Sequence, residues 1–96
     1  MYQLAPSRYF LKKSQKFTKN NHRHQLKLAH ALIALADNPF SLSLKTHRVS
    51  HKIAGKAFSS WVTGDIRTIW DFTQDGRKTI LLIDIGGHSG KNKVYR

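Results

Sequence analysis

From Ser7 onward the apolar positions of the chain return with helical spacing. Phe10, Ser14 and Phe17 share one face, Lys12, Lys13, Lys16 and Lys19 load the other, and Ser7 is placed to cap the first turn. Asn20 and Asn21 interrupt this pattern and can cap a second helix, in which Leu28, Leu32 and Leu35 form an apolar stripe widened by Ala29, Ile33 and Ala36. Asp37, Asn38 and Pro39 end that helix, since the residue before a proline is pushed out of the helical region. Ahead of the pair, Tyr2 to Leu4 reads as a short strand stopped by Pro6, one that needs a partner in a later sheet.

Beyond Pro39 there is little periodicity until Gly55, which marks a turn into a strand over Ala57 to Val62. Gly64 and Asp65 turn the chain into Ile66 to Thr73, where Ile66, Thr68, Trp70 and Phe72 face one way and Arg67, Ile69 and Asp71 the other. Asp75 and Gly76 turn it again into Thr79 to Ile85, a run too short and too rich in β-branched residues for a helix, with Gly86 and Gly87 expected to stop it. Helices first and strands later predict one α+β domain over residues 1–96, with two N-terminal helices packed on one face of a three- to four-stranded, mainly antiparallel sheet. The other face is then left to solvent or a ligand, and Arg67, His47, His88 and Lys93 are the candidates to populate it.

Charge sharpens this picture. Seventeen Lys and Arg stand against five acids, all aspartates, for a formal charge of +12 on 96 residues. Such an excess calls for a polyanionic partner: nucleic acid, an acidic protein segment or, less favoured, an anionic membrane surface. No apolar run approaches the roughly 18 residues of a membrane span, and no signal-peptide pattern opens the chain, so a cytoplasmic protein is expected. The absence of cysteine excludes disulfides and thiolate metal sites. With no glutamate, and with His22 and His24 remote from any carboxylate in sequence, neither a metal nor another cofactor is expected.

The densest chemistry lies at the end of the last strand, in ILLIDIGGHSGKNKVY. His88 is the first side chain past the glycine pair, followed by Lys91, Lys93 and Tyr95, so that an imidazole, two ammoniums and a phenol fall close together. A second basic stretch, LKTHRVSHKIAGKAF, carries Lys45, His47, Arg48, His51, Lys52 and Lys56.

Taken with GDIRTIWDF, these two stretches resemble the RelE/ParE superfamily of bacterial type II toxins, most closely its RelE- and YafQ-like ribonucleases. The resemblance runs from about Leu44 to Tyr95, and the helical pair before it suits the same architecture. It implies a toxin that cuts mRNA in the ribosomal A site, contacts rRNA, and is neutralised as a hetero-oligomer by a cognate antitoxin. It also implies site residues: His47 for the histidine leading into the sheet, Asp65 for the strand-leading aspartate, Arg67 for the arginine on that strand, His88 for the C-terminal histidine and Tyr95 for the closing aromatic. Trp61 stands where YafQ-like enzymes carry another histidine, and the loop before Val94 and Tyr95 is longer than in many relatives.

RNA cleavage by 2′-hydroxyl attack without a metal needs a base, an acid, and cations around the phosphate. His88 and His47 are the expected proton-transfer pair, with Asp65 orienting a histidine, Arg67 holding the phosphate, and Lys45, Arg48, Lys52, Lys91 and Lys93 gripping RNA. A loop histidine is more often solvated than catalytic, so these roles rest on the resemblance. His22, His24, His30 and His51 match nothing in it and are expected at the surface or core edge. Trp61, Trp70 and Phe72 are expected in the core, with stacking of one of them on a base as the alternative. Lys12 to Lys19 is ordinarily a solvated helix face, which the total charge turns toward rRNA. The competing readings are a ParE-like inhibitor that binds DNA gyrase without cleaving anything, and a plain basic nucleic-acid-binding domain.

Overall fold

The structure, a computed structural model, describes residues 1–74 and 78–87. Strand β1 (Gln3–Pro6) leads into helices α1 (Arg8–Thr18) and α2 (His22–Asp37), followed by a short 3-10 turn (Leu42–Leu44) and strands β2 (His47–His51), β3 (Gly55–Trp61), β4 (Ile66–Phe72) and β5 (Thr79–Gly87). The strands form a single five-stranded sheet in the order β1-β5-β4-β3-β2. All neighbours are antiparallel except β1 and β5, which run parallel with Gln3 opposite Thr79.

The helix ends form as the sequence dictates. Ser7 Oγ accepts the Phe10 amide and Asn21 Oδ1 accepts the His24 amide, each satisfying a donor that has no partner within the first turn. Phe10 and Ser14 are buried and Phe17 half-buried on the predicted face of α1. In α2 the buried positions are Ala31 and Leu35, flanked by Leu28 and Leu32, while Ile33 is 66% exposed and Ala29 is exposed, so these two do not widen the stripe.

The sheet has more strands than the pattern predicts, for two reasons. β1 finds its partner in β5, and Tyr2 and Gln3 anchor it further by donating to the carbonyls of Ala36 and Lys78. β2 reads HRVSH, with no apolar alternation, and forms by pairing with β3 across a turn closed at Gly55, whose φ of +76° favours glycine. The glycine pair also behaves differently from expectation. Gly86 and Gly87 stay in the ladder opposite Arg67 and Ile66, so β5 runs two residues further.

Consecutive strand residues face opposite ways, and the register sorts them into two layers. Phe58, Trp70, Phe72, Ile80 and Leu82 meet Phe10, Leu35 and Leu44 in the main core beneath the helices. Phe58 stacks on Trp70 at 4.7 Å between centroids, and the Trp70 indole N–H donates to buried Ser60 Oγ at 2.8 Å. The second face is not simply open to solvent. Ala57 and Ile69 are fully buried there, packed with Val49 and Ile83 into a small second core. Its exposed residues include Lys45 and His47 along one margin and Leu81 near β1.

Candidate functional site

The second face is built from alternate residues of β2, β3 and β4. His47 pairs with Ser59, Ser59 with Ile69, and Trp61 with Arg67. Extending the β2 register by two residues sets Lys45 beside Trp61 on the side away from Arg67. The contacts agree: the Lys45 ammonium lies 4.2 Å and the Arg67 guanidinium 4.1 Å from the Trp61 ring centroid. One indole is therefore clasped between two cations, each attracted by the negative face of the ring.

The two cations differ in freedom. Arg67 is 4% exposed and donates through Nη1 to the Thr63 carbonyl at 2.8 Å. Lys45 is exposed, and its backbone is left-handed at φ 49° and ψ 41° where the 3-10 turn ends. His47 is exposed two residues on, and its Nδ1 lies 3.0 Å from the Lys45 carbonyl. Thr63 also lines a cleft of about 300 Å³ with Gly64, Arg23, His24 and Lys27, which adds basic groups next to the clasp.

The remaining expected site residues distribute as follows. Arg48 pairs with Phe58, with its guanidinium 4.6 Å from that ring centroid, and so points to the helix side of the sheet, away from His47. Lys52 is exposed in the turn between β2 and β3. Asp65 is exposed between β3 and β4, where its amide donates to Thr63 Oγ1. His88, Lys91, Lys93 and Tyr95 lie outside the described residues. Lys45, His47 and Arg67 thus share one face of the sheet and Arg48 the other, while Asp65 lies exposed at the β3–β4 turn, bonded like Arg67 to Thr63.

The carboxylate–imidazole pair present among the described residues is a different one. His51, expected at the surface or core edge, is 1% exposed, and its Nε2 lies 2.8 Å from Oδ2 of Asp84, itself 0% exposed. Lys13 of α1 reaches the other carboxylate oxygen at 2.7 Å. Nothing in the local sequence marks this trio, because its members come from α1, β2 and β5. Among the described residues no three His, Cys, Asp or Glu side chains converge to hold a metal ion, and no helix is long and apolar enough to cross a membrane.

No family model and no curated protein matches the chain. Solved structures do. A YoeB/ParE toxin from Agrobacterium tumefaciens superposes with a TM-score of 0.71 at 16% identity, covering 91% of this chain and 99% of that one. YafQ in the E. coli DinJ–YafQ complex gives 0.66 at 22% identity over 92% and 94% of the two chains. The archaeal RelE–RelB complex from Pyrococcus horikoshii gives 0.69 at 15% identity over 92% and 96%. With nearly the whole of each chain covered, this protein has the fold of the RelE, YafQ and YoeB/ParE toxins.

Proposed function

We propose that the chain is the toxin of a type II toxin–antitoxin pair, a metal-independent mRNA endonuclease that acts on the translating ribosome and is held inactive in a hetero-oligomer with its antitoxin. The observation that carries this reading is the placement of His47 beside the Lys45–Trp61–Arg67 clasp, on the sheet from which the chain leaves toward His88. Two of the similar structures are complexes, DinJ–YafQ and RelE–RelB, which supports the antitoxin as partner.

In this mechanism one histidine of the His47–His88 pair takes the proton of a ribose 2′-hydroxyl as its oxygen attacks the adjacent phosphorus. The other donates a proton to the departing 5′ oxygen, leaving a 2′,3′-cyclic phosphate and a 5′-hydroxyl. Lys45, exposed and two residues from His47, is the cation placed to meet the phosphate oxygens, with Lys91 and Lys93 as further candidates in the segment after His88. Arg67, nearly buried and already bonded to Thr63, serves chiefly to orient Trp61. Asp65 takes no part, and Tyr95 is retained on the resemblance alone.

The test is primer extension on an mRNA translated in a cell-free system, with wild-type protein beside His88→Ala and His47→Ala. Cuts inside translated codons that disappear in the His88 variant are expected. A full set of translating ribosomes without cuts would overturn the endonuclease, and a gyrase supercoiling assay would then become the next measurement.

A further inference from the structure

We infer that Trp61 is the seat of an RNA base and that the Lys45 ammonium holds that seat until the base arrives. The inference rests on the endonuclease reading for its ligand, single-stranded RNA, and on the clasp itself for its geometry.

Trp61 is only half-buried, at the margin of the second face. A tryptophan serving the core alone has its ring covered by apolar neighbours, as Trp70 has. Trp61 instead presents its two faces to cations, and these are not equivalent. On one side Arg67 is buried and tied to the Thr63 carbonyl, so it acts as a fixed backing plate. On the other side Lys45 is exposed and swings on a four-carbon stem. A base can displace an exposed ammonium from an indole face, because stacking on an aromatic ring is available to every base and the lysine keeps its charge in a new position. The displaced ammonium stays within reach of the phosphate of the nucleotide it makes room for. Arg67 on the far face stays in place and keeps the ring from turning.

The backbone at Lys45 points the same way. A lysine at φ 49° costs roughly 1–2 kcal/mol relative to the right-handed region. It is this turn that delivers the side chain over Trp61 and sets the Lys45 carbonyl against His47 Nδ1. Non-glycine residues held in such conformations gather at functional sites. Positions two residues apart on a strand lie about 7 Å apart on one face, so a base on Trp61 brings its own ribose toward His47, which pairs with the residue two before Trp61. The nucleotide seated on Trp61 is therefore the one whose sugar carries the attacking hydroxyl.

The experiment uses the full chain and a single-stranded RNA hexamer with 2′-O-methyl at every ribose, so that binding is read without cleavage. Its control is a hexamer of the same length and charge with abasic sites. Tryptophan fluorescence should be quenched by the first and not by the second, and Trp61→Leu should weaken hexamer binding roughly 5- to 150-fold while Trp61→Phe stays within a few-fold of wild type. Lys45→Ala should retain the quenching and lower the salt dependence of binding. Equal quenching by the abasic hexamer, or unchanged affinity of a folded Trp61→Leu protein, would overturn the base seat. These readouts are independent of ribosomal cleavage. A protein that cuts mRNA normally after Trp61→Leu loses the seat and keeps the endonuclease, and one that stacks RNA but never cuts loses the endonuclease and keeps the seat.

Discussion

His51 Nε2 and Asp84 Oδ2 lie 2.8 Å apart in the interior, joining the end of β2 to β5 across two intervening strands. In a flat sheet those strands would be about 14 Å apart, so the contact requires the β2–β3 hairpin to coil over the second face. The imidazole is a neutral one with its proton on Nε2, because Nδ1 accepts the amides of Ile53 and Ala54 at 3.2 and 3.0 Å. Asp84 is then the ionised partner. Its other oxygen takes the Lys13 ammonium at 2.7 Å and the Ile85 amide at 2.7 Å. His51→Ala should cost about 3 kcal/mol, since it strips the buried carboxylate of a donor and two turn amides of their acceptor. Thermal unfolding should register this as a drop of more than about 10 °C, and a change of under 2 °C would show that the pair does not hold the hairpin down.

Exposure separates the two aspartates of interest. Asp65→Ala should leave unfolding within about 0.5 kcal/mol of wild type and cleavage within a few-fold, because the side chain stands exposed at a turn. Thr63→Val should cost about 1 kcal/mol, because Thr63 Oγ1 accepts the amides of both Asp65 and Ile66. Urea titrations of the two variants decide the point. A large loss of cleavage in a stable Asp65→Ala protein would return that carboxylate to the mechanism.

Ser60 is a small side chain with a large consequence. Its Oγ accepts from the Trp70 indole and lies 2.6 Å from Thr46 Oγ1, which in turn donates to the Pro39 carbonyl. Ser60→Ala leaves the indole N–H of a fully buried tryptophan without its acceptor and should destabilise the fold by about 2 kcal/mol. Urea unfolding followed by near-ultraviolet circular dichroism measures this, and an unchanged midpoint would mean that water or a neighbour takes over the bond.

Function and stability should part at His47. The residue is exposed, so His47→Ala is expected to unfold as wild type does while ribosomal cleavage falls roughly 100- to 10,000-fold. A matched loss of both in the cell-free and unfolding assays would instead make His47 a structural residue.

Lys45 should likewise be dispensable for stability. Lys45→Gly removes the steric penalty of the left-handed backbone, so the variant is expected to be no less stable than wild type. Its hexamer binding should show a shallower salt dependence, because one cation is gone. A clear fall in its unfolding midpoint would show that the contact with Trp61 outweighs the backbone strain.

Much of the fold was legible in short stretches of chain. The caps at Ser7 and Asn21, the stop at Asn38 and Pro39, the buried face of α1 and the meander of the last strands each depend on residues within a few positions of one another. Local spacing and turn chemistry settle such features before any tertiary contact forms. The site was only half legible. His47, Arg67 and Lys45 could be proposed from the sequence and its family resemblance, but their meeting around Trp61 depends on strand register. Alternation from Phe58 outward sends Arg48 to the helix side, away from Lys45. The parallel docking of β1, the recruitment of the polar strand β2 and the Lys13–Asp84–His51 trio lie further still from local pattern. The first and last join residues separated by tens of positions, and β2 forms only because β3 stands ready to pair with it; a buried charge or histidine is satisfied by whatever partner the packed sheet brings to it. What the amino-acid sequence determined by itself is the two helices, the strands of the final meander and the cationic, histidine-bearing chemistry they carry. Which of those groups meet was decided by the coiling of one small sheet.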